Sequence, residues 1–308
     1  MEYSTKIDVD DNIVEISELL KGWVSGEELA RKLNVSRTAV WKKIKRLRNM
    51  GYVIEGAKGK GYRIVSEPKF SPISVVRSVR GSLIKTVYYY DVLDSTNNKA
   101  RELPENSLVI AEEQIMGKGR LGRKWFSKKG GLYFSIALKP EMNLEDIPKL
   151  TLTSGVAVAR ALEEYQARLK WPNDVLINGK KVCGILSEIV GEIENFKVIV
   201  GIGINVENAV PDYATNLKNL NSEVNRAEIL KDVIEQFTKY YKMLLSREWN
   251  KIRFEWLELS DTIGKFVEVK AGNRTYRGKA IDMDYDGGLI VETEEGTEKV
   301  FSGDCFYI

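Results

Sequence analysis

Hydrophobic residues near the start of the chain recur at the spacing of a helix. Ile13, Ile16 and Leu20 stand at i, i+3 and i+7, which predicts a first amphipathic helix. Ser25, followed three residues later by Glu28, has the spacing of a capping box and predicts a second helix through EELARKLN. Two short helices are therefore expected at the start of the chain.

A third helix is predicted after a short turn. Ser36 is a suitable N-cap for RTAVWKKIKRLRNM, in which Val40, Ile44 and Leu47 form one apolar stripe. Two helices joined by the turn NVS resemble a helix-turn-helix. The β-prone runs YVI and YRIV follow, joined by a turn of glycines and lysines, which predicts a hairpin wing.

Basic residues are concentrated in this segment. From Arg31 through Arg63 there are eleven Lys and Arg residues and one acidic residue, Glu55. A basic helix face and a basic wing suit DNA, although a helix-turn-helix can also be a structural or protein-binding module. The predicted DNA contacts are Ser36, Arg37, Thr38, Trp41, Lys42, Lys45, Lys58 and Lys60.

Downstream, β-prone runs first alternate with helical patterns and then continue alone. TVYYYDV, SLVIAEEQ and VIVGIGINV are typical of strands, and an Asn-Gly turn predicts a hairpin that carries Lys180 and Lys181. From about Leu259, short β-runs separated by glycine-containing turns predict a small β-barrel. We expect an α+β multidomain fold: a winged helix-turn-helix over 1–66, a mixed α/β domain over 67–258 and a small β-barrel over 259–308, with a first linker near Ser66-Glu67-Pro68.

Composition indicates an ordinary globular protein. The chain has 308 residues, of which 43% are hydrophobic and 30% charged, and a formal net charge of +3. Because no apolar run approaches the roughly 18 residues of a membrane span and MEYSTKIDVDD is too acidic for a secretion signal, we expect a cytoplasmic protein with no membrane partner. Cys183 and Cys305 are expected to be small buried residues.

The chain contains no histidine, which excludes Ser-His triads, Cys-His dyads and imidazole zinc sites. Lysine, arginine, carboxylates, hydroxyls and backbone amides remain. The stretch GKGRLGRKWFSKKGG begins at Gly117 and fits G-x-G-x-x-G, but no long helix can follow before Gly130, so a dinucleotide-binding turn is excluded. Its cations on a flexible backbone suit a phosphate or a carboxylate, and Trp125 offers an aromatic face.

Three further stretches place polar groups beside strands. Ser95-Thr96-Asn97 lies where a strand precedes a helix, a position that suits recognition of a neutral polar ligand. The run LKWPNDVLINGKKVCGIL contains a polar hinge and two adjacent lysines. In VIVGIGINV, Gly201 and Gly203 interrupt a buried strand, where glycine predicts the close approach of a ligand or of another backbone.

Together these stretches resemble the biotin protein ligases, and specifically the bifunctional form that joins the ligase to an N-terminal winged-helix repressor domain. GKGRLGRKW, KWPNDV and KKVCGIL occur in the family's order, and the resemblance covers essentially the whole length. It implies a C-terminal barrel of the Src-homology-3 type. Lys118 and Leu121 depart from the pattern, since both stand where many relatives have arginine, and Lys181 rather than Lys180 matches the lysine of K-x-x-G-I-L.

The resemblance assigns roles to individual residues. Lys181, Arg120 and Asp174 are implied to be catalytic. The implied biotin-binding residues are Ser95, Thr96, Asn97, Gln114, Lys118, Gly119, Arg120, Lys181 and Gly184. The implied ATP- and adenylate-binding residues are Gly117, Lys118, Arg120, Arg123, Trp125, Lys170, Asn173 and Asn205, and no protein ligands for a metal are assigned.

The implied reaction has two steps. Biotin's carboxylate attacks the α-phosphate of ATP in the presence of Mg²⁺, and a lysine of an acceptor protein then attacks the resulting biotinyl-5'-adenylate. The implied partners are the biotin acceptor domain of a biotin-dependent carboxylase or decarboxylase, operator DNA of biotin genes, and a second copy of the chain when the adenylate is bound.

Three alternatives stay open at this point. A lipoate or octanoate ligase would share the architecture, but that relative usually has a histidine in its glycine-rich signature, and this chain has none. A transcription factor that senses biotin without ligating it would not need Lys181. A ligase whose N-terminal domain no longer binds DNA is the third alternative.

Overall fold

The computed structural model describes residues 11–192, 195–221 and 223–308. Most of the acidic stretch MEYSTKIDVDD, on which the expected absence of a secretion signal rests, lies outside these ranges. The helices are α1 Asp11–Leu19, α2 Gly26–Lys32, α3 Arg37–Asn49, α4 Pro72–Ser78, α5 Thr96–Ala100, α6 Ile147–Ala161, α7 Arg226–Leu245 and α8 Trp249–Leu259. The strands are β1 Val53–Ala57, β2 Gly61–Ser66, β3 Thr86–Leu93, β4 Ser107–Gln114, β5 Leu132–Leu138, β6 Arg168–Lys170, β7 Asp174–Ile177, β8 Lys180–Glu192, β9 Asn195–Ile204, β10 Phe266–Ala271, β11 Arg274–Met283, β12 Leu289–Thr293, β13 Gly296–Val300 and β14 Asp304–Tyr307.

The N-terminal domain is the predicted winged helix-turn-helix. The Ser25 hydroxyl accepts a 3.1 Å hydrogen bond from the backbone N–H of Glu28, and Ser36 caps α3 in the same way through Ala39 at 3.1 Å. These bonds satisfy N–H groups that a helix leaves without intrahelical partners. The apolar stripe of α3 is buried in one core with α1 and α2, so the predicted helices and caps are confirmed.

The wing is an antiparallel hairpin of β1 and β2, as predicted. Val24 and Tyr62 exchange backbone hydrogen bonds of 3.0 and 2.9 Å, which attach β2 to the segment before α2. Arg48 on α3 donates a 2.9 Å hydrogen bond to the carbonyl of Ile54. The wing is therefore held in a fixed position beside α3.

Helix α4 joins the N-terminal domain to the rest of the chain. Its Ile73 is buried in the N-terminal core, whereas Val75 is buried in the core of the central domain. Arg77 donates a 2.7 Å hydrogen bond to Ser17 in α1, and Ser78 donates one of 2.8 Å to the carbonyl of Ala227 in α7. The domain boundary between residues 66 and 67 stays a prediction. Helix α4 follows that boundary and packs against both the N-terminal and the central domain.

The central domain contains a seven-stranded sheet in the order β3-β4-β5-β9-β8-β7-β6. Strands β3 and β4 are parallel and are connected through α5. All other neighbouring strands of this sheet are antiparallel. Helices α6, α7 and α8 pack on one face with Leu108, Ile110 and their neighbours. Because side chains alternate across a strand, Val109 and Ala111 point to the other face, where they form a smaller cluster with α5.

The C-terminal domain is a five-stranded antiparallel sheet in the order β13-β12-β11-β10-β14. The predicted run of short strands is confirmed, and closure of the sheet into a barrel stays a prediction. This domain attaches to the central one through Trp171, whose backbone N–H donates to the Thr262 hydroxyl at 3.0 Å and whose indole N–H donates to the Gly287 carbonyl at 3.1 Å.

Two other sequence expectations concern cysteines and membranes. Cys183 and Cys305 are free and buried, as predicted, and burial raises the pKa of both thiols, that of Cys305 to about 11. Within the described ranges, no helix has the length and apolar character needed to cross a bilayer.

Candidate active site

A cavity of about 470 Å³ opens on the face of the central sheet that carries α5, and its size is within the range of small-molecule sites. It brings together nearly all the residues to which the sequence assigns a role in catalysis or ligand binding. The predicted residues that line it are Ser95, Thr96, Asn97, Gln114, Lys118, Gly119, Arg120, Arg123, Trp125, Lys170, Asn173, Asp174, Lys181, Gly184 and Asn205.

One end of the cavity is a network of neutral polar groups. The Gln114 side-chain carbonyl accepts hydrogen bonds from the backbone N–H of Thr96 at 2.8 Å and from its hydroxyl at 3.1 Å. The Gln114 amide N–H donates to Ser127 at 2.8 Å. The Ser135 hydroxyl on β5 lies 2.7 Å from Thr96 Oγ1 and 2.6 Å from Asn97 Oδ1. This end can therefore recognise a small uncharged ring that carries both donors and acceptors.

Glycines on β9 and β8 leave room for two side chains of the site. A Cβ atom on Gly201 would lie 2.9 Å from Asn97 Cγ, and one on Gly203 would lie 2.7 Å from Trp125 Cε2. Gly184 stands opposite Gly203 in the strand register, and a Cβ there would approach Trp125 Cζ3 to 2.9 Å. The sequence predicts the close approach of a ligand or of another backbone at Gly201 and Gly203, but the groups that approach these glycines are the side chains of Asn97 and Trp125.

Replacement of Gly203 tests this indole position. In Gly203→Ala the new methyl group displaces Trp125. We expect the adenylation that the resemblance implies to slow by about tenfold to a hundredfold, since an error of about 1 Å in a site can cost that much. Gly22→Ala is the control, because nothing lies within 4 Å of a Cβ built there. Initial rates of pyrophosphate release measure the effect, and equal rates in the two variants would contradict the role of Gly203.

The cationic part of the cavity centres on Lys181. Its Nζ atom lies 2.6 Å from Asp174 Oδ1 and 5.2 Å from the centroid of the Trp125 ring. The adjacent Lys180 is exposed and does not line the cavity. The structure therefore separates two lysines that are neighbours in the sequence, and it places Lys181, the predicted one, in the site.

The basic loop 117–124 is fixed to the C-terminal domain. Arg120 donates to the Gly303 carbonyl at 3.1 Å and reaches Asn173 Oδ1 at 3.4 Å, and Arg123 forms an ion pair with Asp304. Burial lowers the pKa of Arg120 and the negative charge of Asp174 opposes that change, but a guanidinium stays charged at neutral pH. The loop contains one short 3-10 turn, Arg120–Gly122, and the next element after Gly122 is β5, so no helix opens from these glycines, as the sequence predicts.

Two loop residues have surroundings that the sequence does not predict. Gly117 does not line the cavity, and a Cβ on it would lie 2.5 Å from the Trp125 carbonyl oxygen, which indicates a packing role. Lys118 is exposed and its Nζ donates to Asn98 Oδ1 at 2.6 Å. Contact of either residue with the adenylate stays a prediction.

The far wall of the cavity combines the central and C-terminal domains. Lys170 Nζ lies 4.6 Å from the ring centroid of Tyr307 on β14. Asn173 donates to the Ile185 carbonyl at 2.7 Å, and Asn205 Oδ1 accepts from Asn208 at 3.0 Å. The small β-domain thus contributes directly to the cavity, through residues 304–307.

Sequence reasoning missed Ser135, Glu188 and the segments 211–214 and 304–307. Ser135 is the one polar residue of the strand LYFSIAL, and Glu188 follows the K-x-x-G-I-L pattern, so both offered a weak signal. Asn97 Nδ2 donates to Glu188 Oε2 at 2.6 Å across 91 positions of sequence. Contacts over that separation depend on sheet order, which the sequence pattern alone does not provide.

The predicted DNA contacts are all exposed, and they lie on α3 with its N-cap and on the turn of the wing. On α3, Trp41 is 53% exposed, and Lys45 Nζ lies 5.6 Å from its ring centroid. Lys60 on the wing lies 5.9 Å from the ring of Trp23. The exposed residues are Ser36, Arg37, Thr38, Trp41, Lys42, Lys45, Lys58 and Lys60.

Comparisons with known proteins agree with this architecture. Residues 12–63 match the model of an HTH domain, residues 89–205 match the biotin/lipoate A/B protein ligase family, and residues 262–307 match the biotin protein ligase C-terminal domain. The biotin protein ligase from Aquifex aeolicus, solved in complex with biotin and ATP, is 33% identical with a TM-score of 0.65 and covers 73% of this chain and 99% of that one.

Similarity to curated proteins extends over nearly the whole chain. The bifunctional ligase/repressor BirA of Bacillus subtilis is 36% identical over 96% of this chain and 97% of its own length. BirA of Escherichia coli is 29% identical over 91% of each. Since the match includes the winged helix-turn-helix, the ligase domain and the C-terminal domain together, the chain belongs to the family of bifunctional biotin protein ligase/repressors.

Proposed function

We propose that this protein activates biotin with ATP to biotinyl-5'-adenylate, transfers biotin to a lysine of an acceptor protein, and represses transcription in response to biotin. The observation that supports the ligase activity most strongly is the arrangement of the cavity. A neutral amide and hydroxyl end suits the ureido ring of biotin, and Lys181 and Arg120 at the other end suit its carboxylate and the phosphates of ATP.

Lys181 acts at the adenylation step. Its ammonium group bridges the biotin carboxylate and the α-phosphate, so it lowers their repulsion and stabilises the charge that develops as pyrophosphate leaves. Asp174, at 2.6 Å, holds the ammonium group in place before the substrates bind. This chemistry needs positioned charge and no general base of the histidine type.

Arg120 acts after the adenylate has formed. Its guanidinium reaches the Gly303 carbonyl and Asn173, so the glycine loop spans from the central domain to the C-terminal one. A closed loop excludes water from the mixed anhydride and keeps it for the acceptor lysine. Trp125 and Lys170 border the region that we assign to the nucleotide.

Magnesium enters with ATP as part of the substrate complex. Among the residues that the structure describes, no group of three or more acidic, histidine or cysteine side chains could hold a metal. The carboxylates of Asp174 and Asp304 line the cavity, and each is paired with a cation. This fits Mg²⁺, which usually keeps several waters and binds through substrate phosphates plus one or two carboxylates.

Transfer to an acceptor domain tests the complete reaction. The protein is incubated with biotin, MgATP and a purified acceptor domain of a biotin-dependent carboxylase, and intact mass and peptide mapping follow the product. We expect one biotin on one lysine. The absence of labelled acceptor in a reaction that forms adenylate would remove the transfer step from the proposal.

The repressor function rests on the exposed basic surface of α3 and the wing. Duplex DNA bound by the protein is first selected from a random pool in the presence of biotin and MgATP. Affinity for the selected sequence is then measured against salt concentration. A protein that selects no sequence would favour the alternative of a ligase without DNA-binding activity.

The wing lysines allow a quantitative prediction. In the double variant Lys58→Ala/Lys60→Ala, the slope of log affinity against log salt should fall by about two, because two phosphate contacts are lost. Lys139→Ala is the control, since Lys139 is exposed on the central domain. An unchanged slope in the double variant would show that the wing does not contact DNA.

The remaining parts of the proposal are the assembly and the location. We propose a homodimer in the adenylate-bound state, because two winged helices fit a two-fold symmetric operator. Sedimentation velocity with and without biotin and MgATP measures the assembly. Cytoplasmic location stays a prediction from the sequence.

A further inference from the structure

Glu188 lies behind the polar end of the cavity and does not itself line it. It stands on β8 opposite Ile199, on the same sheet face as Gly184 and Leu186 because residues two apart share a face. Its Oε2 atom accepts a 2.6 Å hydrogen bond from Asn97 Nδ2, and its Oε1 atom is paired with Arg101. Glu188 thus connects a cavity-lining amide to a cation outside the cavity.

The partners of Asn97 determine which way its amide points. The two ends of an asparagine amide have almost the same shape, so the orientation follows from the hydrogen-bonding groups around it. An ionised carboxylate only accepts, and so does the Leu186 carbonyl, which lies 3.3 Å from Nδ2. Nδ2 must therefore face Glu188 and Leu186, and Oδ1 must face Ser135 and Gly201.

This orientation leaves an acceptor for the ligand. Asn97 Oδ1 has two lone pairs, and the Ser135 hydroxyl lies 2.6 Å from it with a single hydrogen to donate. The same hydrogen can instead go to Thr96 Oγ1, at 2.7 Å. The carbonyl oxygen can therefore accept a hydrogen bond from a ligand N–H. In the flipped orientation an NH₂ group would take its place and would repel that ligand N–H.

We propose that Glu188, held by Arg101, is a positioning residue that fixes the polarity of the Asn97 amide and thereby selects ligand rings that carry an N–H donor. This inference rests on the proposed function, because it assigns the ureido ring of biotin to this end of the cavity. A dithiolane ring such as that of lipoate has no N–H and gains nothing from the fixed carbonyl.

The decisive variant is Glu188→Gln, which keeps the size of the side chain and removes its charge. A glutamine that bonds Arg101 through its carbonyl presents its own NH₂ group to Asn97 and favours the flipped amide. We expect the KM for biotin to rise about tenfold or more, as for loss of a hydrogen bond to a charged group, with kcat and the KM for ATP within about twofold of wild type. The control is Glu102→Gln, which removes an exposed partner of Lys99 on the surface nearby.

A double-mutant cycle separates this role from a general structural one. If Glu188 acts through Asn97, Glu188→Gln added to Asn97→Ala raises the KM for biotin no further than Asn97→Ala alone. A further rise of the same size as in the wild-type background would overturn the inference. If Glu188→Gln does not fold, as judged by thermal melting, Glu188→Asp takes its place in the cycle. The shorter side chain keeps the charge but draws the carboxylate away from Asn97, and the same two outcomes for the KM for biotin apply.

The proposed function and this inference fail in different ways. A wild-type protein that makes no biotinyl-adenylate would contradict the function before any variant is compared. A wild-type protein that makes it, together with a Glu188→Gln variant whose KM for biotin is unchanged, would contradict the inference alone.

Discussion

The variant Lys181→Ala is expected to lose at least two orders of magnitude in the rate of adenylation. A single cation aimed at developing charge contributes about 3 kcal/mol to transition-state stabilisation, which corresponds to a factor of more than a hundred in rate. Lys181 is the cation beside Asp174 and over the Trp125 ring, and it lines the cavity. Single-turnover formation of adenylate measures the effect on the chemical step.

The neighbouring lysine provides the control for this prediction. Lys180 has the same charge, stands one position earlier in β8 and is exposed. Lys180→Ala should adenylate biotin at close to the wild-type rate. A Lys181→Ala variant with near wild-type adenylation would remove Lys181 from the mechanism, and so would equal losses in the two variants.

The second large effect is expected for Arg120→Gly, which should release adenylate instead of retaining it. This change removes the hydrogen bond to the Gly303 carbonyl and the contact with Asn173, so the loop no longer joins the two domains through this side chain. Released biotinyl-adenylate reacts with accessible lysines of any protein. We therefore expect labelling of an unrelated lysine-rich protein in the same tube, together with free adenylate in the filtrate.

Leu121→Gly separates loss of the cation from loss of loop stiffness. Leu121 is 73% exposed and has a positive φ of 53°, a conformation that glycine adopts readily. This variant should keep its specificity for the acceptor. Two results would show that Arg120 does not retain the adenylate in the way that we propose. One is an Arg120→Gly variant that labels only the acceptor, and the other is a Leu121→Gly variant that releases as much free adenylate as Arg120→Gly.

Local features of the fold could be predicted from the sequence because they depend on neighbours in the chain. Ser25 and Ser36 cap helices through backbone groups three residues away, and the stripe of α3 is buried as its spacing indicates. The choice of Lys181 over Lys180 came from the resemblance to a family motif. The structure adds a physical reason for this choice, because Lys181 lines the cavity and Lys180 does not.

Features that depend on tertiary structure could not be predicted in this way. The sheet order brings Glu188 to Asn97, and it places Gly184 opposite Gly203 so that the two glycines accommodate the Trp125 ring. Pairing of Arg123 with Asp304 joins residues 181 positions apart, and no local pattern indicates it. Helix α4 contributes to two cores because Ile73 and Val75, two residues apart, lie on different faces of the helix. A boundary drawn at the linker therefore does not describe the packing of α4.

The measurement that tests the central claim most directly is mass spectrometry of the small molecules formed by the purified protein with MgATP and biotin, with lipoate and octanoate in parallel reactions. We predict biotinyl-adenylate and pyrophosphate from biotin, and no adenylate from the other two acids. Adenylate from lipoate or octanoate but not from biotin would indicate a ligase of the lipoate type, and no adenylate from any of the three acids would contradict the ligase function.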